Sequence, residues 1–544
     1  MRLATYVCCA VAIVVGSCWA LPGGQPAVAE VREGAPWETA GVFPQRYDLR
    51  DDGRVTPVRW QQKHGTCWAM SALGSLESSA LSATHVADDY SENNLANHSA
   101  SLLDYEGMAP SEVAAAYVAR WEGPVFESDD PYPYPDDSPD YLPAVRHVQE
   151  VLFLPARSGP LDNAAIKWAV LTYGGVDAEM YWERAPYFQD ATSAYYQWTA
   201  ARADHHVLCV GWDDSFPASR FATRPPGDGA FLIKNSWGAD FGERGYFWVS
   251  YYDTGFGQAL AVFNDAAAVG NFDAIYQHDA LGRSGWLGLS GQEGWFASRY
   301  RCVGTGSVAA VAFYTPVPGS AYEVRVARAV SALPAASVTA SGTLAVAGYH
   351  TVRLEAPAEV RAGDSFVVAV HVTTPGWLAP IPVEQPSRLI APQARVGQSF
   401  VSIDGVTWTD LTARSGYSSA DVCLKAFVNA AGFGDRQPPA VTVTAGTVVQ
   451  GGTACIRWRL GDPAFSSASA IVVVKVVAAR GRVLHTLRVP AAMVGERGAW
   501  SFACPWPVGS YSVRGRAYDV AGRRQVAASR AILAVTRAVV GGGR

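Results

Sequence analysis

The sequence predicts an α+β domain followed by two all-β sandwich domains. Three observations carry this. Residues 46–265 mix helical apolar periodicity with short apolar strand runs, whereas residues 270–430 and 437–538 hold short alternating runs separated by Gly, Pro and Ser. A chain of 544 residues, at the usual size of roughly 100–200 residues per domain, also calls for about three or four domains.

Composition narrows the function classes. Apolar residues make up 49% and charged residues 17%, enough for several cores, and a net charge of −6 offers no footprint for nucleic acid. The N-terminus carries "LATYVCCAVAIVV" followed by the small-residue stretch "GSCWA". This predicts a signal peptide over residues 1–20, cut after Ala20. Val15 to Cys18 also read as a lipobox, which would leave Cys18 acylated. Both readings place the mature protein outside the cytoplasm, secreted or at the cell surface. Residues 21–45, rich in Gly, Pro, Ala and Glu, read as linker, and no later run reaches the roughly 20 apolar residues that span a bilayer.

Within 46–265, "CWAMSALGSLESSALSAT" repeats apolar residues at helical spacing, with Thr66 as candidate N-cap. "LDNAAIKWAVLTYG" reads as a second helix ended by Gly174. "HHVLCVGWDD", "GAFLIKNSW" and "GYFWVSYYD" read as strands. Farther on, "VAAVAFYT", "AYEVRVARAV", "HTVRLEA", "SFVVAVHVTT" and "DVCLKAFV" alternate as strands of the first sandwich, and "GFGDRQPP" reads as a hinge before the second. Six cysteines lie beyond the signal segment, too few for a disulfide scaffold. Cys455 and Cys504 are expected to bridge the sheets of the last sandwich, and Cys302 and Cys423 are candidates to pair within the first.

The chemistry centres on Cys67. A cysteine attacks as its thiolate, and an ordinary thiol near pKa 8.5 is mostly protonated at neutral pH. A helix N-terminus and a proton-storing histidine both favour the thiolate. Cys67 sits where the first helix should begin. His205 and His206 open an apolar strand, and Asn235 and Trp237 close the next. Asn235 could orient an imidazole at His205, with the Trp237 ring shielding the contact. Gln61, across a tight "KHG" turn from Cys67, could aim its amide at the same carbonyl oxygen as the Cys67 backbone N–H. Taken singly, each residue has a plainer reading: Cys67 as core, the histidine pair as surface or half a metal site, Asn235 as turn.

Together, Gln61, "KHG", Thr66-Cys67-Trp68, His205 and "KNSWG" at 234–238 resemble the papain family of cysteine peptidases in order and spacing. "RYDLRDDGRVTPVRWQ", "YSENNLANH" at 90–98 and "AIKWAVLTYGGVDAEM" match the same family, and the resemblance covers about residues 44–255. It implies a two-subdomain papain-like fold, helical on the left and antiparallel β on the right. It also implies Cys67 as nucleophile, His205 as acid/base, Asn235 as orienting residue and Gln61 as oxyanion donor. Trp237 and Gly107 would border the bound substrate. No cofactor or metal is implied; the substrate would be a protein or peptide, and the enzyme a monomer.

Three departures stand out. The family's second cysteine, three positions before the nucleophile, is His64, and the end of the "LSEQELVDC" match is His98. Either a bridge has been lost, or the two histidines stack or share a metal. The glycine pair of the peptide cleft survives only as Glu106-Gly107. Residues 21–45 are too few for the family's helical prosegment, so the chain is expected to be exported active or restrained by its own β domains.

"NFDAIYQHDALGRSGW" at 271–286, "GYHTVRLEAP", "PGWLAPIPVEQP" and "GQSFVSIDGVTWTDL" resemble the lectin-like domain that follows papain-type peptidase domains in some secreted bacterial and archaeal proteins. That resemblance implies a carbohydrate or cell-surface ligand, with Trp286, Trp295 and Trp377 as stacking candidates against the plainer reading of core or sheet surface. The last domain resembles an immunoglobulin-like spacer. The reading is therefore a secreted thiol peptidase with attached β modules. Its rivals are a surface adhesin with an inactive peptidase-like domain and a cell-wall amidase.

Overall fold

The computed structural model describes residues 35–134, 137–430, 438–461, 469–519 and 523–537. The signal segment, the Cys18 site, residues 21–34 of the linker, most of the "GFGDRQPP" hinge and residues 538–544 lie outside the described residues. Among the described residues, no helix is long and apolar enough to cross a membrane.

Helix α1 spans Cys67–Thr84 and is buried from Cys67 to Ala80, wrapped by α2 (Glu92–His98), α3 (Ser111–Ala119) and the sheet below. Its serines survive this burial because each finds a partner: Ser71 Oγ donates to the Val207 carbonyl at 2.9 Å and Ser75 Oγ to that of Gly175 at 2.7 Å. Thr66 stands at the N-cap as expected but makes no side-chain cap; its hydroxyl lies 2.7 Å from the Tyr132 hydroxyl. Helix α4 (Ala164–Thr172) runs into Gly174, whose φ of +127° suits glycine.

Nine strands follow in the first region: β1 (Arg46–Asp48), β2 (His147–Leu154), β3 (Val176–Met180), β4 (Phe188–Gln189), β5 (Ala194–Tyr195), β6 (His205–Asp213), β7 (Ala230–Lys234), β8 (Tyr246–Ser250) and β9 (Leu260–Ala267). They pair in the order β2-β9-β3-β6-β7-β8-β5-β4, with β1 on β6. β6 and β7 are buried at nearly every position, so they read as unbroken apolar runs.

The next region holds β10 (Ala274–Tyr276), β11 (Gly285–Leu287), β12 (Glu293–Arg301), β13 (Gly306–Thr315), β14 (Ser320–Ala327), β15 (Val338–Leu344), β16 (Gly348–Val360), β17 (Ser365–Thr373), β18 (Ile381–Glu384), β19 (Ser399–Ser402), β20 (Thr409–Asp410), β21 (Asp421–Val422) and β22 (Leu424–Ala430). One sheet runs β15-β14-β17-β12-β19-β20, and a small one β11-β18-β21. The rest, β10-β22-β13-β16, does not stand alone as a separate sandwich would. β16 pairs with β2, so the sheet runs on into the first region as one 13-stranded surface. Gly348 makes the join: at φ +148° it lies opposite Leu152, and a Cβ there would sit 2.2 Å from the Val151 carbonyl oxygen.

The core follows the sheet. Trp68, Leu73 and Leu76 of α1 share one apolar cluster with Val148 and Val151 of β2 and with Ala310, Tyr349 and Phe427 of the later strands. At its centre Trp121 stacks on His147 at 3.6 Å and on Phe427 at 5.3 Å.

The last region is a two-sheet sandwich with its own core. It contains β23 (Ala440–Ala445), β24 (Thr447–Val449), β25 (Thr453–Gly461), β26 (Ser469–Val477), β27 (Val483–Met493), β28 (Arg497–Ala503), β29 (Gly509–Asp519) and β30 (Ser529–Thr536). The sheets run β23-β25-β28 and β24-β30-β29-β26-β27. It touches the first region through Lys475–Asp140 at 2.6 Å and Arg488–Glu122 at 3.2 Å.

Both expected bridges are absent, since all six described cysteines are free. Cys455 and Cys504 lie on the same sheet rather than on facing sheets: Cys455, in β25, is opposite Ser501 and half-exposed, while Cys504 is buried just past the end of the neighbouring β28. Cys302 faces one apolar cluster, where its thiol donates to the Gly304 carbonyl at 2.8 Å, and Cys423 faces another. The sequence reading paired cysteines by strand position and had no means of telling which face each occupied.

The Gly348 join yields a prediction. Gly348→Ala should destabilise the protein by on the order of 1–3 kcal/mol, because backbone rather than a flexible side chain must give way. Urea unfolding followed by tryptophan fluorescence would check this, and an unchanged midpoint would contradict it.

Candidate active site

The expected set converges where the N-terminus of α1 meets the start of β6 and the end of β7. Cys67 is 4% exposed. The backbone N–H groups of Cys67 and Trp68, at the head of α1, and that of His206 reach its sulfur, and each favours the anion. Burial outweighs them and pushes the thiol up to about 11, with the Asp177 charge adding to the rise. The sulfur thus lies against the peptide that joins His205 to His206.

His205 is set from the other side. Its Nε2 is 2.9 Å from Asn235 Oδ1, and the Ser236 N–H donates to the same oxygen at 2.9 Å. An oxygen already accepting from a backbone amide fixes the orientation of the Asn235 side chain. Nε2 must then carry the proton, which leaves Nδ1 as the basic nitrogen. Trp237 stacks over the His205 ring at 4.7 Å and 22°, where the sequence placed a shield. Burial presses the imidazole down to about 4, partly opposed by the Asn235 hydrogen bond.

Gln61 is 7% exposed and fully engaged at its oxygen: Ser236 Oγ donates to Oε1 at 2.5 Å and Trp237 Nε1 at 3.1 Å. Nε2 donates one proton to the His64 carbonyl at 2.7 Å and keeps a second. The Gln61 N–H donates to the Ser236 carbonyl at 2.8 Å. Gln61, Ser236 and Trp237 thus form one hydrogen-bonded unit that ties the turn before Cys67 to the strand end that carries Asn235.

His206 faces away, as strand alternation requires. Its Nδ1 lies 3.0 Å from Asp177 Oδ1 and its Nε2 3.5 Å from Glu179. Burial alone would lower it, but the charge and hydrogen bond of Asp177, with Glu179, leave it raised. Asp177 also accepts from Ser111 Oγ at 2.7 Å.

The two histidines at the departures do not meet. His64 Nδ1 is 2.7 Å from Glu106 Oε1, and Gly65 N–H donates to Glu106 Oε2 at 3.0 Å. His98 Nε2 instead sits 2.8 Å from Ser138 Oγ and 2.9 Å from the Pro139 carbonyl. The two rings thus hold separate neighbours, and among the described residues His64 makes its ring contacts with Tyr105 and Tyr132 rather than with His98. The His64 contact holds the 104–107 turn against the Gly65 turn so closely that a Cβ on Gly65 would meet the Glu106 carbonyl oxygen at 2.1 Å. Gly107 itself closes that turn, its N–H donating to the Asp104 carbonyl at 3.0 Å. The Glu106 carboxyl is held below its ordinary value, chiefly by the His64 hydrogen bond. Among the described residues, no group of three or more His, Cys, Asp or Glu is arranged to hold a metal.

The sequence reading missed several partners: Ser236 on Gln61, Glu106 on His64, Asp177 on His206 and Tyr132 on Thr66. None lies at a fixed offset from the residue it serves, so no local pattern marks it.

Residues 43–260 match the papain family cysteine protease and residues 275–428 the lectin-like domain. Curated relatives include a cathepsin L-like peptidase of Aedes aegypti, 29% identical over 221 residues, and human cathepsin L2, 29% identical over 214. Each match covers 38% of this chain and 60% of the relative, so the chain spans about three fifths of the length of these relatives. Among solved structures, the protease and lectin-like domains of Cwp84, a surface layer associated protein of Clostridium difficile, align with a TM-score of 0.63 at 23% identity. The alignment covers 72% of this chain and 90% of that one, a likeness of fold. A second structure of the same clostridial cysteine protease, after propeptide cleavage, gives the same TM-score and identity over 71% of this chain and 99% of that one. The chain thus carries a papain family cysteine protease domain followed by a lectin-like domain.

Proposed function

We propose that this protein hydrolyses peptide bonds in protein substrates, with Cys67 as nucleophile, His205 as acid/base, Asn235 as the residue that orients the imidazole and Gln61 as oxyanion donor. The observation that carries it is the His205 Nε2 to Asn235 Oδ1 contact of 2.9 Å beneath Trp237, beside a sulfur set on a helix N-terminus. His205 Nδ1 accepts the Cys67 proton as the sulfur attacks the scissile carbonyl. The developing oxyanion takes the free Gln61 Nε2–H and the Cys67 backbone N–H. Collapse of the tetrahedral intermediate passes the proton to the leaving amine and leaves a thioester, which water then hydrolyses with His205 as base.

Burial disfavours a lone thiolate and a lone imidazolium alike. Moving one proton from sulfur to ring creates both charges side by side, so the pair as a unit stays neutral and escapes most of that cost. Trp237 and Gly107 border the path of the substrate. The likeness to a surface layer associated protein supports export and action at a cell surface. The lectin-like strands and the last, immunoglobulin-like sandwich would hold the enzyme near a carbohydrate or surface ligand. The buried, neutral thiol also suits a second reading, an adhesin whose peptidase domain is inactive. Labelling of Cys67 by an epoxide-type thiol-protease probe, lost in His205→Ala, supports the enzyme; an unlabelled wild type supports the adhesin.

Gln61→Ala should lower kcat on the order of 10²–10³-fold while Cys67 still alkylates with iodoacetamide, which needs no oxyanion donor. Asn235→Ala should lower kcat/KM on the order of 10²-fold by freeing the ring, and alkylation should slow with it. Equal alkylation in Asn235→Ala would show that the ring needs no orienting partner.

The pH profile follows from the two buried groups. Acid protonates His205 near 4 and removes the base while the thiol keeps its proton. Alkylation should therefore hold level through neutrality and fall with a midpoint near 4. A midpoint at the ordinary imidazole value of about 6.5 would mean that burial does not depress the His205 ring.

A further inference from the structure

Besides Glu106, which grips its middle, the turn between the two oxyanion donors is held at both ends by a side chain that the sequence pattern did not mark. It runs from Gln61 to Thr66, and Gln62 within it sits at φ +56°, a conformation rarely adopted by residues other than glycine. Such a turn keeps its shape only where its surroundings over-determine it. Tyr132 reaches both ends. Its hydroxyl donates to the Gln61 carbonyl at 2.7 Å and lies 2.7 Å from Thr66 Oγ1. A tyrosine hydroxyl has one proton, and Gln61 takes it, so the Thr66 hydroxyl is the donor in the second contact. The Thr66 backbone, at φ −95° and ψ 16°, is also outside the extended conformation from which an N-cap oxygen accepts the helix N–H groups, and its hydroxyl goes to Tyr132 instead. The ring stands edge-on to His64 at 6.2 Å, and the Tyr132 backbone N–H donates to Glu127 Oε1 at 2.8 Å, so the tyrosine is itself anchored. Burial raises its hydroxyl to about 12, which keeps it a donor across the working pH range.

Resting on the proposed roles of Gln61 and Cys67, we propose that Tyr132 is a positioning residue. Its hydroxyl straps the two ends of the 61–66 turn together and holds the Gln61 amide and the Cys67 N–H aimed at one point. The Gln61 carbonyl it grips belongs to the residue whose amide supplies one donor. The Thr66 hydroxyl it receives belongs to the residue preceding the other.

The test is Tyr132→Phe, which keeps the ring and its His64 contact and removes only the hydroxyl. On a fluorogenic dipeptidyl amide that wild type turns over, kcat should fall on the order of tenfold with KM nearly unchanged. Alkylation of Cys67 by iodoacetamide should keep its rate and pH profile, since it uses the thiolate but no oxyanion donor. In a Gln61→Ala background the same substitution should cost less than in wild type, because one of the two donors it positions is gone. Should Tyr132→Phe fold poorly, Thr66→Val breaks the other end of the strap and should show the same split. Unchanged kcat, or an alkylation rate that falls in step with kcat, overturns the inference while leaving the peptidase reading intact. A wild type that is alkylated but cleaves no peptide or protein overturns both.

Discussion

Everything at this site depends on one amide oxygen. Asn235 Oδ1 accepts one hydrogen bond from the Ser236 backbone N–H and another from His205 Nε2, and so decides which nitrogen of the imidazole is basic. Were that amide reversed, two donors would face each other and the ring would lose its tautomer. The strand end that holds Asn235 is therefore built stiffly. The preceding Lys234, buried and lowered to about 8, donates to Thr56 Oγ1 at 3.1 Å, and Thr56 donates to the buried Glu77 of α1 at 2.6 Å. A charge network thus locks the strand end that holds Asn235 to the helix that carries the Cys67 thiol. It cannot be cut on one side without leaving a buried charge unpaired.

The same economy governs the thiol and the imidazole. Burial lifts the thiol and depresses the imidazole, so neither ionises alone. The helix N-terminus and the His206 N–H lower the cost of the sulfur anion without adding a titrating partner. His206 itself stays out of the chemistry because Asp177 claims it on the opposite face of the strand. Two adjacent histidines thus have opposite environments, one depressed and one raised, set by nothing more than the alternation of β6.

The lectin-like strands are more than an appendage. They complete the sheet through β16 on β2 and supply Ala310, Tyr349 and Phe427 to the apolar cluster that seats α1. The helix that presents Cys67 is thus packed against residues contributed more than two hundred positions later in the chain. Burial on that scale is the dominant stabilising term for any element, so the placement of the sulfur is a property of both regions together.

The local sequence determined the main elements around the site and pointed to its candidate residues. The periodicity of α1, the apolar runs of β6 to β8 and the Gly174 stop were legible because each follows from a short-range period or from residue type, whereas Cys67, His205, Asn235 and Gln61 stood out only as a set, by their resemblance to a family in order and spacing. Tertiary structure alone decided the rest. Whether Thr66 caps its helix or serves Tyr132, whether His64 meets His98 or Glu106, and whether Cys455 faces Cys504 depend on which side chains distant segments bring within hydrogen-bond reach. So does the joining of two expected domains into one sheet, since an unpaired strand edge carries no mark in the sequence of the strand that will cover it.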